Sequence, residues 1–354
     1  MNMADTPMTS DLNRLMETMV SHSQRLPTDV AVAIARDHYG LNVHAVRMTG
    51  ERDENFRLSA ADGAQYVLKI AHTAEEPEVT ELLTAVLLHV EQTDPALPCP
   101  RVLRARTGDT QINFEDETGR ARRARLLSYL PGKLLGSSKR SVQQRRSCGR
   151  MAGRLTNALR CFEHPAAHRD LIWDLRHTAH QRRLLDELPV FPDRERAAEL
   201  LDYLVFRIET GFARLRHQVV HNDINPLNVL VDPADETRVI GVFDFGDLTH
   251  TAIIADVAVT AAEQIPKDCG EDTKQARAAV LDIASAYHES FPLQAEELDL
   301  LGPLTAARLS ANLVVHEWYL YRNPASDHHA PLEPDFIRAR LVVASQLARE
   351  GFKL

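Results

Sequence analysis

The stretch VVHNDINPLNVLVDPADETRVIGVFDFGD, residues 219–247, constrains this chain more than any other. Asp223 and Asn228 stand five apart in HNDINPLN, and Asp-Phe-Gly follows at 244–246. Apolar runs over 228–232 and 238–243 lie between these groups and read as short strands. An acid, an amide and a second acid in this order, joined by strands, supply what phosphoryl transfer requires.

A nucleoside triphosphate is highly anionic, and its terminal phosphoryl must be brought in line with an attacking hydroxyl. Asp244 can bridge divalent ions to the phosphate oxygens, and the neutral amide of Asn228 adds a second hard oxygen ligand without further charge; magnesium (Mg2+) favours such donors. Asp223 would accept the hydrogen bond of the attacking hydroxyl and receive its proton late, a role that needs no strongly raised pKa. Taken singly, each has a plainer use: Asp223 as a turn cap before Pro226, Asn228 as a loop tie, Asp244 as a strand end. The ordered set outweighs those uses. His221, two residues before Asp223, is expected to brace the loop rather than act as the base.

The nucleotide then needs a cation upstream. QYVLKIA sets Lys69 between Leu68 and Ile70 on a strand, where it could reach the α- and β-phosphates if a carboxylate holds its ammonium. The following helix offers Glu78 and Glu81, three apart on one face, and Glu81, the deeper, is the expected partner. TGERDENF, 49–56, contains no GxGxxG. Gly50 permits a tight turn there, Asn55 or backbone amides could contact a phosphate, and Arg52 adds positive charge.

With 354 residues, two lobes are the default expectation. Residues 12–20 have the spacing of a short amphipathic helix, and DVAVAIARDHY that of a helix stopped by Gly40. Strands are expected at 43–48, 55–60 and 65–70, a helix from Pro77 to Val90, a hairpin over 101–106 and 110–114, and a strand near 123–129. Pro131-Gly132 is either a hinge or a tight turn. Helices follow near 138–160, 177–188, 194–216, 251–263, 271–289, 296–322 and 333–350, interrupted by the strand-rich island. The expected fold is α+β: an amino-terminal extension (1–26), a small, mainly β, nucleotide-binding lobe (27–130) and a larger, mainly helical, catalytic lobe (131–354).

HNDINPLNVLV followed by VIGVFDFGD resembles the catalytic segment of the aminoglycoside phosphotransferase and choline kinase superfamily. The likeness runs from about Val43 to about Asn323. It implies a protein-kinase-like bilobal fold, phosphorylation of a small molecule, Asp223 as catalytic aspartate, Asn228 and Asp244 as metal ligands, and Lys69 as the nucleotide lysine. GERDENF, YVLKIA, LLSYLPGKLL and LIWDLR resemble the hydroxylysine kinase-like subgroup in particular. Where the superfamily usually has His-Gly-Asp, this chain has His221, Asn222 and Asp223; the carboxylate is kept.

For the acceptor, a small hydroxylated amine or amino acid such as 5-hydroxylysine, Asp247 and Glu317 are candidates for an ammonium pole. Arg322 or Arg308 could meet a carboxylate. His250 and Trp318 are candidate lining residues, and Asp256 is expected to brace the loop. Aminoglycosides, homoserine, choline and ethanolamine are alternative acceptors, and ATP or GTP the donor. A protein kinase is disfavoured because no Ala-Pro-Glu segment follows Asp-Phe-Gly; a non-catalytic nucleotide-binding module is the remaining alternative.

Lys plus Arg number 41 and Asp plus Glu 50, a net charge of -9, which opposes nucleic-acid or anionic-membrane partners. Four scattered cysteines, no basic-then-apolar leader and no run of 18 apolar residues point to a cytoplasmic protein without a membrane span. A homodimer is the prior from symmetry alone.

Overall fold

A computed structural model describes residues 25–48, 50, 53–324 and 330–354. The helix expected over 12–20 and Arg52 lie outside them.

The amino-terminal part is built on one antiparallel sheet. Its strands are β1 (Val43–Met48), β2 (Glu54–Ala60), β3 (Gln65–Ile70), β4 (Val102–Leu103), β5 (Ile112–Glu115) and β6 (Ala121–Ser128), ordered β1-β2-β3-β6-β4 with β5 also on β6. Period-two alternation gives this sheet two different faces. Phe56, Leu68 and Leu126 pair in register across β2, β3 and β6 and are fully buried; each contributes about 1.5–3 kcal/mol of burial. They share a core with Ala31, Ile34 and Ala35 of helix α1 (Thr28–Tyr39). That helix ends at Gly40, whose φ of 72° supplies the expected left-handed cap. The intervening residues form the second face, where Asn55, Lys69 and Arg125 lie opposite one another in a row.

Residues 101–106 and 110–114 do not pair with each other as a hairpin. Both lie along β6 instead: Val102 and Leu103 against Leu127 and Leu126, and Ile112–Glu115 against Ala124–Ala121. The eight residues of β6 present an edge long enough for two short strands in succession.

Helix α2 (Pro77–Thr93) turns Val79, Leu82, Leu83, Val86 and Val90 inward. They join the larger of the two apolar cores, which also holds Leu127 and runs on through the helical part. After Pro131-Gly132 comes a short strand, β7 (Lys133–Leu134). It pairs with β9 (Val229–Val231), which in turn pairs with β10 (Val239–Val242). The helices are α3 (Val142–Ala158), α4 (Thr178–Glu187), α5 (Arg194–Gly211), α6 (Ile253–Gln264), α7 (Thr273–Ser290), α8 (Ala295–Arg322) and α9 (Pro334–Leu347). A sheet-rich amino-terminal part and a helical carboxy-terminal part result, as expected.

The helix expected from 251 begins at Ile253. Thr249–Ala252 form strand β11 instead, antiparallel to β8 (His217–Val220). β-Branched threonines favour the strand, and the Thr249 and Thr251 hydroxyls are buried there, donating to the Ala167 carbonyl and to Asp174. Among the described residues, α8 alone has the length and mean hydropathy of a membrane span; its apolar stretch is mostly buried inside the protein, as in a core helix.

Candidate active site

The hairpin of β9 and β10 explains why residues so far apart in HNDINPLN and DFG meet. Val229 pairs with Val242, and the Phe243 N–H donates to the Asn228 carbonyl at 3.0 Å. The loop entering β9 and the turn leaving β10 therefore sit at one end of the hairpin, with Asp223 and Asn228 on one side and Asp244 on the other. The Asn228 amide nitrogen donates to the Asp223 carbonyl at 3.0 Å and to its Oδ2 at 2.7 Å. Asn225 donates to the same Oδ2 at 2.8 Å. Two amides thus fix the Asp223 carboxylate.

Behind it the loop is braced as expected. The Asp223 N–H donates to His221 Nδ1 at 3.2 Å, and the His221 ring packs on Phe245 with centroids 4.7 Å apart. Burial pulls this imidazole down to about 4, so at neutral pH it is an uncharged strut between the two loops. Asn222, at the position where the superfamily has glycine, takes φ 62°. Asparagine tolerates this left-handed conformation better than most side chains. Its N–H donates to Asp256 Oδ1 at 2.7 Å from the first turn of α6.

Asp256 is itself buried, and burial pushes its carboxyl up to about 7 while the Asn222 N–H pulls it down. The folded-state value lies above the ordinary 3.8, so the stability this group contributes is complete below that pH and is lost as pH rises toward 7. Asp256→Asn keeps the acceptor and removes the ionisation. The difference in unfolding free energy between variant and parent should move in the variant's favour from pH 4 to pH 7, on the order of 1.4 kcal/mol per pH unit at most. A difference independent of pH over that range would contradict the assignment.

Lys69 reaches across from the sheet. Its Nζ is 2.9 Å from Asp244 Oδ1, and that ammonium is the main influence holding the Asp244 carboxyl below its ordinary value. Asp244 also has φ 63°, backbone strain of the kind concentrated at functional sites. Glu81 is not the partner of Lys69. It is exposed and pairs with Arg123 at 2.9 Å. The apolar stripe of α2 explains the difference: 79, 82, 83, 86 and 90 face the core, which leaves Glu78 and Glu81 on the outer side. Asn55 faces the same way as Lys69, directly opposite it. Gly50 packs over Asn55, since a Cβ there would lie 2.3 Å from the Asn55 Nδ2.

On the other side of Asp223 stands Arg308 of α8. Its Nη2 is 3.0 Å from Asp223 Oδ1, its Nε 2.9 Å from Glu263 Oε1, and its guanidinium lies 5.0 Å from the Trp173 ring centroid. Asn312, one turn further along α8, donates to the same Glu263 oxygen at 2.8 Å. Burial pushes the Asp223 carboxyl well above its usual range; Arg308 opposes this, and the charges of Asp247 and Glu263 add to it. Asp247 is thus near enough for its charge to act on Asp223.

A family model described as "Phosphotransferase enzyme family" matches residues 47–298. This chain belongs to that family. Hydroxylysine kinase from Mus musculus is 27% identical over 308 residues, covering 80% of each chain. An amicoumacin kinase solved with AMP-PNP, Ca2+ and its ligand superposes with a TM-score of 0.67 at 15% identity, covering 91% of this chain and 94% of the other. A microcompartment-associated aminopropanol kinase gives 0.66 at 18% identity, covering 91% and 95%. At such identities these two structures speak to the protein-kinase-like fold.

In this phosphotransferase the donor set fits a hard divalent ion. Asp244 supplies a carboxylate, and Asn228, with its nitrogen committed to Asp223, presents its carbonyl oxygen. No cluster of three or more His, Cys, Asp or Glu side chains among the described residues forms a metal site unaided. A hard cation held there would take oxygen donors of this kind and lower the charge of a bound triphosphate.

Two substrate candidates fall elsewhere on the phosphotransferase. Glu317 accepts the Leu332 N–H at 3.0 Å, and Arg322 lies over the Trp318 ring and 3.8 Å from Glu187. At 1.5 Å rise per residue they are about 14 and 21 Å along α8 from Arg308, beyond the reach of a small acceptor held at Asp223. Trp318 is buried and donates to Glu187 at 2.7 Å. The His250 ring lies tilted against His168 with centroids 4.4 Å apart. Glu263, Asn312, Trp173 and Asn225 were not singled out from sequence. Glu263 is seven residues, two helical turns, from Asp256, and that shared face was the available signal.

Proposed function

We propose that this phosphotransferase is a divalent-metal-dependent kinase that moves the terminal phosphoryl of ATP or GTP to the hydroxyl of a small amino acid, with 5-hydroxylysine the leading acceptor. The observation that carries this reading is the cluster of charged and amide side chains around Asp223. A carboxylate fixed by Asn225 and Asn228 faces a stacked, buried guanidinium and two further acids. Asp223 orients the hydroxyl and takes its proton. Asp247 and Glu263 suit an ammonium pole. Arg308 Nη1 is buried with no hydrogen-bond partner, and it suits a substrate carboxylate. Magnesium, when bound with the nucleotide, neutralises charge on the phosphates; Lys69 steadies the same end of the site. The hydroxylysine kinases among the relatives support the choice of acceptor. Four free cysteines accord with a reducing, cytoplasmic setting, part of the same proposal.

The acid excess favours a second reading. Three carboxylates stand around one arginine, a balance that also suits a plain amino alcohol. An acceptor panel separates the two: 5-hydroxylysine, homoserine, choline, ethanolamine and an aminoglycoside, each with magnesium and with ATP or GTP. The first reading expects acceptors bearing both ammonium and carboxylate to show the highest kcat/KM, and Arg308→Gln to abolish that preference. Equal or better turnover of choline or ethanolamine would favour the second reading, and nucleotide binding without any transfer would indicate a non-catalytic module.

A further inference from the structure

In β6, directly opposite Lys69 and on the same face of the sheet, stands Arg125. Only 5% of it is exposed. Its ion-pair partner among the described residues, Asp53, lies at 3.8 Å, longer than a charge-assisted hydrogen bond. Asp53 also accepts the His72 N–H at 3.4 Å. Arg125 Nε, a donor, is buried without a hydrogen-bond partner. Buried polar groups are nearly always satisfied, and an incompletely paired buried cation is costly.

Two cations directly opposite across a strand pair also repel each other. Asp244 offsets Lys69, and Arg125 is close enough that its charge helps hold the Asp244 carboxyl down. Glu81, the acid expected to relieve the pair, is bound to Arg123 instead. The sheet therefore presents Lys69 and Arg125 together beside the aspartate expected to carry the metal. A polyanion lying against this face of the sheet would balance both charges.

We propose that Arg125 is a phosphate-binding residue of the nucleotide site, forming with Lys69 a two-cation cradle for the donor's phosphates. The inference rests on the nucleotide-dependent function proposed above. Asn55, the third member of the row, caps the cradle on the β2 side. The lysine is then steadied by the sheet and by Asp244 instead of by a helix glutamate.

Calorimetric binding of ATP, GTP, adenosine, guanosine and inorganic tripolyphosphate tests the assignment, with and without magnesium. The comparison uses the parent, Arg125→Gln, Arg125→Lys and, as control, Glu81→Gln. Arg125→Gln should weaken binding of the preferred triphosphate and of tripolyphosphate by roughly tenfold to a hundredfold, leaving the nucleosides unaffected. Arg125→Lys, which keeps the charge if the glutamine variant fails to fold, should lose less and retain a preference for triphosphate over nucleoside. Glu81→Gln should bind like the parent. Equal loss for nucleoside and triphosphate, or undiminished triphosphate binding in both Arg125 variants, would overturn the proposal. A parent that transfers phosphoryl while the Arg125 variants bind normally sinks this inference alone; a parent that binds no triphosphate sinks the kinase reading with it.

Discussion

Asp223→Asn lowers kcat by about 10²–10⁴-fold, the range for removing a positioned general base, while nucleotide affinity is retained. The substitution is nearly isosteric, so Asn225, Asn228 and Arg308 still surround the position and the loop keeps its brace on Asp256. What disappears is the group proposed to orient the hydroxyl and accept its proton. Steady-state rates with the best acceptor, together with nucleotide titrations of both proteins, check the expectation. Parental turnover in the variant would remove Asp223 from the mechanism.

The second large effect is expected at Asp244. Asp244→Asn takes away the carboxylate that answers Lys69 at 2.9 Å and would ligate the metal. Metal stabilisation of transferring phosphoryl charge is worth several kcal/mol, so a loss on the order of 10³-fold in kcat follows. The concentration of magnesium giving half-maximal rate should rise as well. Rates measured across a magnesium series separate this from simple unfolding. A variant with the parental magnesium response would show that Asp244 is not a metal ligand.

Why Asp223, Asn228 and Asp244 were legible in the sequence is a matter of local geometry. A β-hairpin converts sequence order into a spatial cluster, and the strand runs between the motifs are strongly apolar. Lys69 was legible for a similar reason, since strand alternation fixes its face. Glu81 was misread because helical spacing says which residues share a face, not which face meets the sheet; the stripe at 79, 82, 83, 86 and 90 decided that, and it turned Glu81 outward. Arg322 and Glu317 were misplaced because α8 is 28 residues long, and composition along it gives no depth relative to Asp223. The contacts of Arg308 with both Asp223 and Glu263 are tertiary, 85 and 45 residues away, and no local pattern encodes them. β11 was hidden by its position just before a helix of good spacing.

Transfer of the γ-phosphoryl, followed directly by phosphorus-31 NMR with 5-hydroxylysine as acceptor, tests the whole account. It predicts a new phosphomonoester resonance that grows with loss of the γ signal, requires magnesium, stops on addition of a chelator and is absent with Asp223→Asn. A phosphomonoester formed at the same rate without divalent metal, or by the Asp223→Asn protein, would contradict it.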